Sequence, residues 1–162
     1  MRLAIISDTH LPRGARRIPD ACLQHCREAD AILHAGDLVD ISVLELLRSL
    51  GPPLHAIHGN VDSAAVRAVL PARLEVELEG VRLGMIHAPG PASRRLDALR
   101  AAFPRCAAVV FGHTHVPEHA ERDDFQIFNP GSSTERRRAP AHTMGIATID
   151  GGAIAFELHV VR

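Results

Sequence analysis

The hydrophobic residues of this chain fall into short runs that are separated by polar or glycine-containing turns. Three runs in the first half have strand length and read as buried strands: Arg2–Ser7, Ala31–His34 and Leu54–His58. The segments Pro19–Glu28 and Val43–Leu50, which separate them, carry apolar residues at helical spacing. This alternation predicts parallel strands joined by crossover helices.

The pattern changes in the second half of the chain. Leu74–Glu79 alternates apolar and charged residues and meets Val81–Ile86 across Gly80, which predicts a hairpin. Ser93–Phe103 has helical spacing. Further strands are predicted at Ala107–Phe111, Phe125–Phe128, His142–Ile149 and Ala153–Val161, with a turn at Asp150-Gly151-Gly152. The mixture favours a layered α/β fold with parallel and antiparallel strands over a closed barrel.

The length and composition add limits to this fold. The 162 residues suit a single domain, and we expect one that spans residues 1–162, with Ser132–Arg138 as a surface loop. Eighteen Arg residues face nineteen acidic ones, so no net field attracts nucleic acid or an anionic membrane. The apolar start, Met1–Ile6, is too short for a signal peptide, and no run could span a bilayer. We therefore expect a cytoplasmic protein, with Cys22 and Cys26 as reduced thiols on one helix face.

Polar residues follow directly after five of the apolar runs. The clusters are Asp8-Thr9-His10, Gly36-Asp37, Gly59-Asn60, His87 and Gly112-His113-Thr114-His115. Because loops at the carboxyl ends of neighbouring strands lie side by side, these clusters are expected to form one site. Asp, Asn and several His without Cys suit a borderline divalent metal. Seven candidate ligands exceed the needs of one tetrahedral ion, whereas two ions about 3.5–4 Å apart with a bridging carboxylate would use them all.

In this order the motifs resemble those of the calcineurin-like metallophosphoesterases, and among them the small bacterial and archaeal phosphodiesterases. The resemblance covers nearly the whole chain and implies a sandwich of two mixed β-sheets flanked by helices. It implies that the first metal is held by Asp8, His10 and His115, the second by Asn60, His87 and His113, and that Asp37 bridges them. Asp40 and Asp62 are expected to support ligands through hydrogen bonds.

The same resemblance implies an activity. It predicts hydrolysis of a small phosphoester, with diesters favoured, by in-line attack of a hydroxide that bridges two divalent ions. The residues implied for catalysis are Asp37, Asn60, His87 and His113. Mn is the commonest activating ion of the family, with Fe, Zn, Ni and Mg as alternatives. The sequence does not decide whether the chain forms a homo-oligomer.

The sequence departs from the family pattern at two places. Many relatives have a His after the motif asparagine that protonates the leaving oxygen, whereas this chain has Val61, which cannot transfer a proton. His87 is followed by Ala88-Pro89-Gly90, where the subgroup usually has Gly and then a polar residue. These positions leave open the identity of the general acid and the shape of the loop after His87.

Other interpretations remain beside this one. A phosphomonoesterase or pyrophosphatase would use the same site, and the retromer scaffold subunit resembles this fold but serves mainly in protein docking. His34 and His58 are equally compatible with packing and with support of ligands. Ordinary surface or packing roles are expected for His25, His55, His119, His142 and His159. A turn is favoured for Asn129-Pro130-Gly131-Ser132, with a contact to substrate or to the ligand loops as the alternative. A solvated face is favoured for Arg136–Arg138, with binding of a phosphate oxygen as the alternative.

Overall fold

Helices alternate with strands in the first half of the chain and strands dominate the second half, in a computed structural model that describes residues 1–161. The strands are β1 (Arg2–Ile6), β2 (Ala31–His34), β3 (Leu54–Ala56), β4 (Arg73–Leu78), β5 (Val81–Ile86), β6 (Ala108–Phe111), β7 (Glu118–Arg122), β8 (Phe125–Asn129), β9 (Thr143–Asp150) and β10 (Ala153–Val160). The helices are α1 (Asp20–Glu28), α2 (Ile41–Arg48), α3 (Ala64–Val69) and α4 (Arg95–Ala102), the last preceded by a 3₁₀ turn at Ala92–Arg94.

The strands form two mixed five-stranded sheets. The first has the order β10-β9-β1-β2-β3, in which β1, β2 and β3 are parallel and β9 and β10 are antiparallel additions. The second has the order β4-β5-β6-β8-β7, in which β5, β6 and β8 are parallel and β4 and β7 are antiparallel edges. The predicted α/β sandwich of two mixed sheets flanked by helices is confirmed.

Apolar side chains fill the space between the two sheets and cover their outer faces. Leu3, Ile5 and Leu33 of the first sheet join Met85 and Val110 of the second in one buried cluster. The opposite face of the first sheet packs against α1, α2 and α3, and α4 packs on the outer face of the second. β1 and β2 are apolar on both faces because both faces are covered.

Two elements were absent from the sequence prediction, and one strand ends early. α3 has only six residues, too few for a periodic pattern to show. β7 is Glu-His-Ala-Glu-Arg, a polar edge strand whose pairing with β8 overrides its composition. β3 ends at Ala56, two residues before the prediction, because the His58 N–H donates to the Pro71 carbonyl at 2.9 Å and leaves the sheet.

The cysteines behave as composition predicted. Cys22, Cys26 and Cys106 are buried and form no disulfide. Among residues 1–161, no helix has the length and apolar content needed to cross a bilayer.

Gly84 in β5 provides a test of the packing between the second sheet and α4. A Cβ at this position would lie 2.4 Å from the Phe103 ring, which is fully buried at the end of α4. We expect Gly84→Ala to lower the free energy of unfolding by about 1–3 kcal/mol, the usual cost of overpacking, as measured by urea denaturation. In a Phe103→Leu background the penalty should shrink, because the clashing ring is gone. An equal loss in both backgrounds would contradict this account.

Candidate metal centre

The site lies where the loops after β1, β2, β3, β5 and β6 meet at one end of the sandwich. Backbone hydrogen bonds hold these loops side by side: Asp8 donates to the Gly36 carbonyl at 3.0 Å, and Gly112 donates to the His87 carbonyl at 3.1 Å. The two sheets are joined here as well, because the His113 N–H donates to both carboxylate oxygens of Asp8, at 3.1 and 3.0 Å, across 105 residues of sequence.

Asp8, His10 and His115 form the first cluster of donor atoms. One donor atom from each lies within 4.8 Å of the other two, and all three residues are buried. The His115 Nε2 is 3.2 Å from Asp8 Oδ1 and 3.1 Å from His10 Nε2. This arrangement of one carboxylate and two imidazoles could hold a single divalent ion.

Asp8, Asp37 and His87 form the second cluster, with donor atoms again within 4.8 Å of one another. The His87 Nε2 lies 3.1 Å from Asp37 Oδ2 and 4.0 Å from Asp8 Oδ1. Asp37 Oδ2 is also 3.5 Å from His10 Nε2. The Asp37 carboxylate therefore lies between the donors of both clusters.

Asn60 and His113 lie at the solvent-exposed rim of the same site. The His113 Nδ1 is 2.9 Å from Asn60 Oδ1, and its ring meets that of His87 edge-on at 5.3 Å between centroids. The structure thus brings all seven sequence-predicted residues together, five in the buried centre and two at its rim.

The hydrogen bonds of the imidazoles test whether these residues fit a cation. His87 Nδ1 donates to the Ala35 carbonyl at 2.8 Å and His115 Nδ1 to the Glu135 carbonyl at 2.5 Å, so in the neutral rings both Nε2 atoms present lone pairs to the site. Despite its proximity to Asp37, the buried His87 Nε2 has no hydrogen bond with acceptable geometry among residues 1–161. Lone pairs and carboxylate oxygens that face one another need a proton or a cation between them, so the residues fit a metal.

The electrostatics of the centre agree with this fit. Burial disfavours the ionised form of Asp8, but its side-chain contacts with His10 and His115 and the nearby His87 outweigh that effect and hold the carboxyl pKa well below its usual range. Burial likewise lowers the pKa of His87, yet the carboxylates of Asp37 and Asp8 prevail and the net pKa is raised. The centre therefore has a negative potential that attracts either a proton or a metal ion.

The backbone is strained at most of the candidate ligands. Five of the seven have a positive φ: Asp8 (55°), His10 (46°), Asp37 (60°), His113 (71°) and His115 (60°). Left-handed conformations are uncommon in residues with a Cβ and persist only where the surroundings enforce them. Such a concentration is typical of functional sites, where the strain serves to aim side chains.

The motif glycines make room for this arrangement. Gly36 has a φ of +94° and a Cβ there would lie 2.7 Å from His87 Nδ1. Gly59 and Gly112 lack a positive φ, but their Cβ atoms would lie 2.1 Å from Asp37 Oδ1 and 2.0 Å from Ser7 Oγ. At these two positions the glycine is required because other atoms approach the backbone too closely for a side chain.

Asp62 fastens the loops after β2 and β3 to each other. Its carboxylate accepts hydrogen bonds from the backbone N–H groups of Asp37 (3.0 Å), Val39 (2.5 Å) and Gly59 (2.6 Å). This is the supporting role expected for Asp62. The same expectation was wrong for Asp40, which caps α2 by accepting from the Ser42 N–H at 2.9 Å.

His34 supports the site from beneath. It is fully buried, and burial lowers its pKa to about 4, so the ring is neutral. Its Nδ1 accepts from the Gly36 N–H at 3.2 Å and its Nε2 lies 3.2 Å from Thr9 Oγ1. Of the two roles left open for His34, support of the ligand loops agrees with these contacts.

The segment after β8 contributes more than the predicted turn and surface loop. The Asn129 amide donates to the Gly112 carbonyl at 3.0 Å, and the buried Ser132 hydroxyl donates to the Asp8 carbonyl at 2.7 Å. Thr134 Oγ1 donates to the Thr9 carbonyl at 2.6 Å. The surface-loop prediction was wrong for residues 132–134, which are buried. At residues 129–132 the contacts agree with the alternative left open beside the turn, a contact to the ligand loops, because these side chains satisfy backbone carbonyls that the strained loops expose.

Glu135 has a role at the site that sequence reasoning missed. Its backbone carbonyl accepts the hydrogen bond from His115 Nδ1. Its carboxylate lies 3.7 Å from His10 Nδ1 and pairs with Arg13 and Arg16. Residue type alone gave no signal for this role, since Glu135 stands in a polar stretch beside three arginines. Those arginines, Arg136–Arg138, are exposed, as predicted.

The two departures from the family pattern have clear structural settings. Val61 is 43% exposed, and its backbone N–H donates to Asp37 Oδ1 at 3.0 Å, so its side chain faces solvent beside the centre. The loop after His87 is held by Arg95, which donates to the Gly90 carbonyl at 3.1 Å and pairs with Glu118. Ala88 and Pro89 therefore do not displace His87 from the cluster.

Comparisons with known proteins agree with this geometry. The family model described as the calcineurin-like phosphoesterase superfamily domain matches residues 1–152. A probable metallophosphoesterase of Methanothermobacter thermautotrophicus is 34% identical over 160 residues, which cover 98% of this chain and 91% of the relative. A phosphodiesterase of Methanocaldococcus jannaschii is 23% identical over 144 residues, or 81% of this chain and 83% of the relative.

Solved structures show the same fold. The structure of Vps29 from Entamoeba histolytica complexed with Zn²⁺ superposes with a TM-score of 0.79 at 20% identity and covers 99% of both chains. At that identity the likeness concerns the fold alone. The match of the family model and the identity to the archaeal metallophosphoesterase, both spanning most of the chain, show that the protein belongs to the calcineurin-like phosphoesterase superfamily.

Proposed function

We propose that the protein is a phosphodiesterase that depends on two divalent metal ions, with Mn as the activating ion. The observation that carries the proposal is the pair of overlapping donor clusters, Asp8-His10-His115 and Asp8-Asp37-His87, whose buried nitrogens and carboxylates face one another. The relative named as a phosphodiesterase supports a diester substrate.

In this proposal, Asp8, His10 and His115 hold one ion, Asn60, His87 and His113 hold the other, and Asp37 bridges them. Bound divalent ions would lower the pKa of a water molecule between them and offset the charge that develops on the phosphoryl oxygens. The protein groups keep the donors fixed: the Ala35 and Glu135 carbonyls orient the His87 and His115 rings, and Asp62 holds the two loops that carry Asp37 and Asn60.

The complete donor set favours an enzyme over a docking scaffold of the same fold. A scaffold has no requirement for strained ligand backbones or for Asp62, Asn129 and Ser132 to fasten the ligand loops. Strain of this kind costs about 1–3 kcal/mol per residue and is expected to disappear where no function maintains it.

The metal content is the first test. We expect calorimetric titration of the metal-free protein with Mn²⁺ to saturate at two ions per chain. Asp37→Ala should weaken both sites because the bridging carboxylate serves both ions. Saturation at one ion, together with unchanged affinity in Asp37→Ala, would remove the bridging assignment.

Hydrolysis of a diester by ligand variants is the second test. Asp8→Ala, Asp37→Ala and His113→Ala should reduce Mn-dependent turnover of bis(4-nitrophenyl) phosphate to background, because each loses a metal donor. His25→Ala and His159→Ala are matched controls and should remain active. These two rings face each other with centroids 5.3 Å apart, and neither belongs to the donor clusters. Folded ligand variants that retain turnover would favour the scaffold.

The valine at position 61 leads to a prediction of how the turnover rate depends on the leaving group. Positioned general acids contribute roughly 10²–10⁴-fold, and an exposed valine supplies no proton. For a series of methyl aryl and alkyl phosphodiesters, turnover should fall steeply as the leaving-group pKa rises, and Val61→His should flatten the slope with its largest gain on alkyl esters. A flat plot for the natural sequence, with chemistry rate-limiting, would show that another group already donates the proton.

A further inference from the structure

A cleft of about 570 Å³ opens directly beside the metal centre, on the side of Asn60 and His87. It lies between the end of β3 with the following helix α3 and the paired strands β4 and β5. Its volume is within the range of about 300–1,000 Å³ that is usual for small-molecule sites. A phosphoester seated on the metal centre could therefore extend one of its ester groups into this cleft.

The walls of the cleft combine apolar surface with two guanidinium groups. Ala72, Ile86 and Ala88 supply apolar atoms, and Arg67 and Arg73 supply guanidinium groups, of which that of Arg73 is paired with Glu75. Arg67 donates to the carbonyls of Asn60 (2.5 Å) and Asp62 (3.0 Å) through Nη2 and Nε, which fixes its plane beside the metal centre. No carboxylate pairs with Arg67 among residues 1–161, so its charge is free to act on a ligand.

Arg73 is also held in place at the other side of the cleft. It lies over the Phe103 ring at 3.8 Å and donates to Glu75 Oε1 at 3.1 Å. Planar guanidinium groups stack on aromatic rings and donate to carbonyl and phosphate oxygens. Two such groups beside apolar surface match a flat, aromatic group that carries hydrogen-bond acceptors.

From this geometry we infer that the cleft binds the nucleoside of a small nucleotide ester, with the phosphate at the metal centre. The inference rests on the proposed function, because it assumes that the donor clusters seat the phosphoryl group. A nucleobase supplies a flat aromatic face and carbonyl acceptors, and its stacking does not require a particular base. Two guanidinium groups line the cleft, whereas a long polyanion would need a longer series of positive groups, so the ligand assigned is a mononucleotide unit.

The test is direct binding, which does not depend on turnover. Isothermal calorimetry on the Mn-loaded protein compares thymidine 5′-phosphate with inorganic phosphate. Ala72 is exposed at the cleft wall, so Ala72→Phe should fill the cleft without disturbing the core. We expect this substitution to weaken the binding of thymidine 5′-phosphate by about 5- to 150-fold, as for the loss of one stacked base. The affinity for inorganic phosphate should change by no more than about twofold.

Two further variants control the result. Ala72→Leu should give an intermediate loss of affinity for thymidine 5′-phosphate. Ala153→Phe should give no loss, because it makes the same change at an exposed site away from the cleft, at the start of β10. The inference would be overturned if thymidine 5′-phosphate bound the natural sequence and Ala72→Phe with equal affinity. It would also be overturned if Ala72→Phe lost affinity for inorganic phosphate to the same extent. Binding of a thymidine decanucleotide more than about tenfold tighter than thymidine 5′-phosphate would overturn the mononucleotide assignment. Because this test measures binding, a protein that binds thymidine 5′-phosphate but hydrolyses no diester would refute the proposed function and leave this inference intact.

Discussion

The buried carboxylate of Asp8 is the group on which the rest of the site depends. It is fully inaccessible to solvent, and a buried charge is tolerated only when hydrogen bonds and opposite charge compensate it. The Ser7 hydroxyl and the His113 N–H supply the hydrogen bonds, and the second of these joins one sheet to the other. The opposite charge must come from protonated imidazoles or from a metal ion, so the stability of this end of the sandwich is linked to what the centre binds.

The strained loops around Asp8 are maintained by polar groups that have no part in the proposed metal coordination. Asp62 fastens the backbones of two loops, His34 connects Thr9 with Gly36, and Asn129 and Ser132 hold the loops after β6 and β1. Apart from the side-chain contact between His34 and Thr9, each of these contacts satisfies a backbone group that a regular strand would have paired within the sheet. The result is a set of donors aimed before any ligand arrives, which lowers the reorganisation that binding requires.

In the proposed phosphodiesterase, specificity for the ester groups would be decided at the rim of the site, where the chain has Val61 in place of the histidine of many relatives. The exposed side chain of Val61 offers no proton donor at one side of the centre, and the cleft beside it adds the charge of Arg67 and apolar area. The buried centre would serve any phosphoester equally, because it contacts only the phosphoryl group. In the inference drawn from the cleft, the groups attached to that phosphoryl would contact α3, β4 and the loop after β5.

The sequence alone determined the fold class and the seven residues that the structure brings together at one end of the sandwich. Apolar runs of strand length, each followed by Asp, Asn or His, were sufficient because strand periodicity and the convergence of carboxyl ends are local or topological properties. α3 and β7 escaped detection because one is too short to show a period and the other is held only by its pairing with β8.

The roles of the supporting residues were decided only by the tertiary structure. Asp40 and Asp62 both follow a motif glycine at similar spacing, yet one caps a helix and the other joins two loops. The buried Ser132 and Thr134 read as a polar surface loop in the sequence, and Glu135 gave no sign of its contact with His115. A hydrogen bond between residues far apart in the chain depends on where both backbones come to lie, and no local pattern encodes that position.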